Sequence, residues 1–321
     1  MTAPTLSPRA WLDVIERDYL MDFIRHGGAG VKVAVVAPEQ SGGLASELVE
    51  TGRRHGFVTA LVDDSVPRVY YMDRLFNAIA AQVDWPALAF DFMSSLLRSH
   101  GYSLPEGTLT VDRVARANSI DPQQVQMTVE RALTASVLGD RVMARDFRLA
   151  MNQLCRAAVE QDDIQLEQAG LVQAWLRGEL HAIGSLSRGI GIFERINRYN
   201  ARAMLTSAAE WVRLAGRSGL LVVIDVGRFA IARPSPGPDG TALRPPSRTA
   251  VLDTYELMRQ CLDGADEVSG LLTVFLAGPE LVEDERRGMR AYPALELRLT
   301  DDVRDRDRPN PYAPMVRISW S

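Results

Sequence analysis

VKVAVVAPEQSGGLASEL, residues 31–48, is the stretch whose reading decides the fold. Val31, Val33, Val35 and Val36 predict a short buried strand, Pro38, Ser41, Gly42 and Gly43 predict a loop, and an apolar helical pattern starts near Leu44. Strand, loop and helix in that order are the parts of a phosphate-binding loop, G-x-x-x-x-G-K-[ST]. There backbone N–H groups wrap the phosphates, a lysine reaches the terminal ones and a hydroxyl holds magnesium. Here Gly43 and Leu44 follow Gly42, so the lysine and the hydroxyl are absent from their places. Gln40, Ser41, Gly42 and Gly43 remain candidate anion-binding residues, because a helix N-terminus presents unpaired N–H groups and a positive dipole end. The same pattern also occurs in βα turns that hold no ligand.

No lysine elsewhere can stand in. Lys32 is the only one in the chain, so 35 of the 36 basic residues are arginines, and it lies at the start of the strand, pointing away from the loop. An arginine and alanine bias of this kind fits a GC-rich genome and is not evidence of phosphate recognition.

With 321 residues, 46% hydrophobic and 24% charged, the chain has core enough for one large domain or two ordinary ones. A net charge of -5 argues against a protein whose main task is gripping a nucleic-acid backbone, while leaving room for a local basic patch. Cys155 and Cys261 are far apart and in no metal-ligand spacing, and His26, His55, His100 and His181 are scattered, so no zinc site is expected. The N-terminal residues carry charges throughout, and no apolar run approaches a membrane span; a cytoplasmic location is the expectation.

Along the chain, residues 11–25 carry apolar side chains at helical spacing, and residues 57–62 (FVTALV) predict a second buried strand ending at Asp63 and Asp64. Residues 68–216 read as a large all-helical insertion. Within it, residues 110–135 resemble a helix-turn-helix whose second helix, from Pro122, leads with Gln123, Gln124 and Gln126 and has Arg131 as its first base. An ordinary helical pair reads the same way.

Residues 219–229 (GLLVVIDVGRF) return to a strand buried on both faces and ending at Asp225, which is followed by Val226, Gly227 and Arg228. Residues 234–246 read as a mobile loop, 248–262 as an amphipathic helix and 271–277 as another buried strand. Arg286, Arg287 and Arg290 precede an alternating segment, 295–299, that predicts a strand; 301–308 alternates charge as surface does, and 315–320 predicts an edge strand.

Taken together, these pieces resemble the P-loop ATP-binding proteins related to the BREX phage-defence ATPases, an AAA-like branch of the strand-inserted NTPases. The resemblance rests on WLDVIERDYLMDFI near the start, AWLRGEL at 174–180, GLLVVIDVGRF at 219–229, SRTAVLDTYELMRQCLD at 247–263 and LAGPELVEDERRGMRAYPALELRL at 276–299. It implies an α/β fold: a three-layer P-loop NTPase-like parallel sheet formed by residues 1–67 and 217–321, with 68–216 as the helical insertion.

It also implies that Gln40, Ser41, Gly42 and Gly43 stand at the phosphate loop, Asp225 at the magnesium aspartate, and Arg286 and Arg290 at the arginine turn. The implied ligand is ATP with Mg2+. Against that pattern the chain lacks the loop lysine, the hydroxyl after it and a glutamate at Val226, and such losses oppose hydrolysis.

The expected function is therefore a pseudo-ATPase with no catalytic residues of its own, acting with protein partners as a scaffold or regulatory subunit of an anti-phage defence or DNA-transaction complex. The alternatives are an ATP-binding switch or ATPase completed by a partner chain or a second copy, and a DNA-binding module built on residues 110–135.

Overall fold

The computed structural model describes residues 4–320 except 64, 161, 228–234, 237–241, 244–245 and 301–308. Asp64, Arg228, the charge-alternating run 301–308 and most of the loop 234–246 thus lie outside the described residues. The chain divides into two compact units, Met1–Ile79 with Ser218–Ser321, and Ala80–Arg217.

In chain order the first unit starts with α1 (Pro8–Val14), a π-helix (Ile15–Phe23), β1 (Ala29–Val35), α2 (Pro38–Arg54), β2 (Phe57–Val62) and α3 (Met72–Ala80). The second unit holds α4 (Trp85–Ser99), α5 (Val111–Asn118), α6 (Pro122–Leu133), α7 (Arg145–Glu160), α8 (Asp163–Leu176), α9 (Gly184–Gly189) and α10 (Ala201–Leu214). The chain then returns to the first unit with β3 (Gly219–Asp225) and a two-stranded pairing of β4 (Ser235–Pro236) with β5 (Ala242–Leu243). After these come α11 (Arg248–Asp263), β6 (Leu271–Ala277), α12 (Glu280–Glu283), α13 (Pro293–Leu299) and β7 (Met315–Arg317).

The main sheet has five strands in the order β2-β3-β6-β1-β7, all parallel. β6 is inserted between β1 and β3, pairing Phe275 with Val33 on one side and with Ile224 on the other. Alternation explains the packing: Ala34, Val36, Leu221, Val223, Leu272, Val274 and Leu276 point to one face, where Trp11, Ile15, Leu20, Leu44 and Leu48 cover them. The intervening residues Val33, Val35, Val222, Ile224 and Phe275 are buried too. Burial on both faces is why these strands read as continuous apolar runs.

Two sequence expectations fail here. The predicted loop at residues 38–43 is helix: α2 begins at Pro38, leaving only Val36 and Ala37 between strand and helix. Pro38 at the first helical position is pre-set in φ and has no N–H to leave unpaired. Two helical glycines cost about 2 kcal/mol together, but burying Leu44 and Leu48 from the same helix yields about 3–6 kcal/mol. Packing wins over local propensity.

The predicted strand 295–299 is helix α13. In a strand, Leu295, Leu297 and Leu299 would share a face, yet Leu295 and Leu299 are buried while Leu297 is 77% exposed, the spacing of a helix that starts at Pro293.

The second unit is wholly helical among its described residues. α7 packs against both α4 and α8, with Trp85, Phe147 and Trp175 buried on these helices. α5 and α6 meet through Ser119, whose left-handed φ of 55° makes the sharp turn, and they bury Val114, Ala115, Val125 and Val129 between them and their neighbours. Gln123, Gln124, Gln126 and Arg131 are exposed on α6.

Candidate functional site at the carboxyl ends of the strands

In an open parallel sheet, ligands bind outside the carboxyl ends of the strands, and here those ends gather the first turn of α2, Asp225 and the Gly278 turn. Ser41, only 5% exposed, donates its hydroxyl to Asp225 Oδ2 at 2.6 Å. Asp225 Oδ1 accepts the N–H of Gly227 at 2.9 Å. Both carboxylate oxygens are thereby engaged.

The neighbouring turns are tight. A Cβ on Gly278 would lie 2.6 Å from Glu280 Oε2 and 3.2 Å from the Gly227 carbonyl, so the ends of β3 and β6 approach as backbone against backbone. Val36 N–H donates to the Ala277 carbonyl at 2.9 Å, tying the exit of β1 to the same place. Glu280 Oε2 is buried with no hydrogen-bond partner among the described residues. Nothing in the sequence singled out Glu280; only its position after the Gly278-Pro279 turn, at the end of a buried strand, would have suggested it.

The remaining sequence candidates separate. Gln40 is half-buried in the first turn of α2, whereas Gly42 and Gly43 are exposed in its second turn, with nothing within 4 Å of an added Cβ. Arg286 and Arg290 are exposed on the connection after α12, and no hydrogen bond or ion pair among the described residues ties them to Ser41 or Asp225. Asp284 holds that connection in shape by accepting the N–H groups of Arg286 and Arg287 at 2.8 and 2.9 Å. Those bonds, with the one from Arg287 foremost, hold its carboxyl below the usual range. Lys32 is 4% exposed and donates to the carbonyls of Tyr312 at 2.5 Å and Ala313 at 3.1 Å, with its ammonium 4.6 Å above the ring of Tyr19.

The first turn of α2 lacks the open loop and the lysine of a G-x-x-x-x-G-K-[ST] phosphate site. Only two residues, Val36 and Ala37, link β1 to α2. Of the donors at the helix N-terminus, Pro38 has no N–H, the Gln40 N–H already donates to the Ala37 carbonyl at 2.9 Å, and Glu39 adds a negative charge. The sole lysine is committed to β7's approach segment. Among the described residues no group of three or more His, Cys, Asp or Glu side chains is placed to hold a metal ion. No helix among them is long and apolar enough to cross a membrane.

An all-parallel five-stranded sheet with an inserted central strand, and an acid at the end of β3 facing the helix after β1, is consistent with a P-loop-like α/β protein. More specifically, residues 50–320 match the family described as BREX system ATP-binding protein BrxC/D, and the chain belongs to that family. The match takes in Asp225, Arg286 and Arg290 and begins after Gln40, Ser41, Gly42 and Gly43. Comparisons with curated proteins and with solved structures give no match.

Proposed function

We propose that this chain is a pseudo-ATPase of the BREX system, a P-loop-like subunit in which a three-layer core has been kept as scaffold while its phosphate loop has degenerated. The observation that carries this reading is the helical state of Gln40, Ser41, Gly42 and Gly43, which leaves no loop between β1 and α2. Phosphoryl transfer is accelerated by positioning and charge stabilisation, and each preorganised donor removed costs on the order of 3 kcal/mol of barrier. With lysine, loop and glutamate all missing, hydrolysis has no support. In this reading residues 1–67 and 217–321 are the core, residues 68–216 are a helical insertion that engages other subunits of a defence assembly, and Asp225 is a structural residue descended from a magnesium ligand.

Calorimetric titration of the purified chain with Mg-ATP, alongside Asp225→Ala, tests it. No saturable binding up to millimolar nucleotide is the expected result. ATP hydrolysis well above that of Asp225→Ala would overturn it.

A second reading is favoured by one observation: Arg286 and Arg290 are exposed and their side chains make no hydrogen bond or ion pair among the described residues. They are free to serve a partner chain or a second copy, in which case assembly followed by light scattering would depend on ATP. DNA binding by α5 and α6 is weaker, since the exposed face of α6 leads with glutamines; it predicts salt-dependent duplex binding reduced by Arg131→Ala.

A further inference from the structure

The second unit carries a surface at odds with the chain's net negative charge. Arg188 and Arg195 are exposed in the short span from α9 to the start of α10, whose one acid is Glu194. Hydrogen bonds join this span to the segment before α7, which brings Arg141 and Arg145. Arg145 Nη1 donates to the Gly191 carbonyl at 3.2 Å, and the Ala144 N–H donates to Ser207 Oγ in α10 at 2.8 Å. Arg145 is neutralised by Asp146 at 2.9 Å, and Asp140 Oδ1 accepts the N–H groups of Val142 and Met143, so Arg141 is the cation this segment adds.

Among these cations stand two aromatic rings with no apolar cover. Tyr199 is 98% exposed at a turn fixed by Asn197, whose Oδ1 accepts the Tyr199 N–H at 2.8 Å; Phe193 is 63% exposed in the irregular segment just before. Their backbone is held from beneath: Ile192 and Ile196 are buried, and Trp175 Nε1 donates to the Glu194 carbonyl at 2.9 Å. The rings are presented by a fixed scaffold.

We propose that this surface binds single-stranded nucleic acid. Arginines spaced along a fixed segment match a phosphodiester backbone, and exposed aromatic faces match unpaired bases, which stack on them whatever their identity. A duplex keeps its base faces covered and would leave Tyr199 and Phe193 unused; an acidic peptide offers charge without a planar face. These residues belong to the second unit, and the proposal does not depend on whether nucleotide binds at the strand ends.

The test is fluorescence anisotropy of the full chain with labelled oligothymidylate and oligouridylate of about 20 nucleotides, read between about 50 and 200 mM salt. Saturable, salt-weakened binding is expected, and the tighter of the two strands identifies the natural source. Tyr199→Ala with Phe193→Ala should weaken binding by roughly tenfold or more while leaving the salt slope unchanged. Both side chains are exposed, so the fold is retained, and Phe193→Tyr, which keeps a ring, should bind like the parent. Arg141→Ala with Arg188→Ala should instead lower the slope, by about 0.7 for each phosphate no longer neutralised. The proposal fails if neither strand binds at the lower salt, if a duplex of equal length binds as tightly, if polyglutamate competes equally well, or if removing both rings leaves the affinity unchanged.

Discussion

The Ser41 hydroxyl meets Asp225 Oδ2 at 2.6 Å, and that one bond joins the first turn of α2 to the end of β3 across residues 184 positions apart. Ser41 is almost fully buried, so the bond is shielded from water. Ser41→Ala should therefore cost about 1–3 kcal/mol, the range for losing a hydrogen bond to a charged group. Urea unfolding of the two proteins measures it, and an unchanged midpoint would mean that the bond does not form in solution.

Gly42 and Gly43 lie in a helix, away from any neighbour and without positive φ. Replacing either with alanine should raise stability by about 0.5–1 kcal/mol, since glycine is the poorer helix former and the more flexible when unfolded. A phosphate-wrapping loop would respond the other way, with loss of nucleotide binding. Thermal melts with and without Mg-ATP distinguish the two.

Lys32 is a packing residue in this structure. Lys32→Ala should destabilise the first unit by about 1–3 kcal/mol, because a buried carbonyl at Ala313 and a part-buried one at Tyr312 lose a charged donor. Its response to Mg-ATP should match the parent's. A variant of normal stability, with altered nucleotide response, would refute this placement.

Glu256 supplies a pH dependence. Arg259 donates to both of its oxygens at 2.7 and 2.8 Å and is the main reason its carboxyl is lowered from 4.5 to about 2; burial opposes the shift, and Tyr292 and Gln260 reinforce it. A carboxyl whose folded value lies below its unfolded one stabilises the fold above the unfolded value, and that stability is lost as pH falls through the folded value. Between pH about 5 and about 2 the parent should lose stability faster than Glu256→Gln. Urea midpoints measured across that window would show parallel decline if the pairing is absent.

The strands 57–62 and 271–277 were legible to the residue, because a run of apolar residues between polar turns has only a buried place to go. The candidate site was legible in its parts. Ser41 and Asp225 both stand out locally, but Ser41 is three positions before Leu44, the place where the motif wants its hydroxyl. No spacing rule pairs it with Asp225. Glu280 and the surface around Tyr199 were not legible, since exposure and hydrogen-bond partners are properties of the folded chain.

What the sequence determined by itself is the alternation of buried strands with amphipathic helices, the single lysine and the absence of a glutamate after Asp225; each follows from residue identity or from short-range period. Only the tertiary structure decided that β6 lies between β1 and β3, that α2 starts at Pro38 and that residues 295–299 are helical. Local preference at these places amounts to about 1–2 kcal/mol, and burial of side chains such as Leu44, Leu48, Leu295 and Leu299 against distant elements outweighs it.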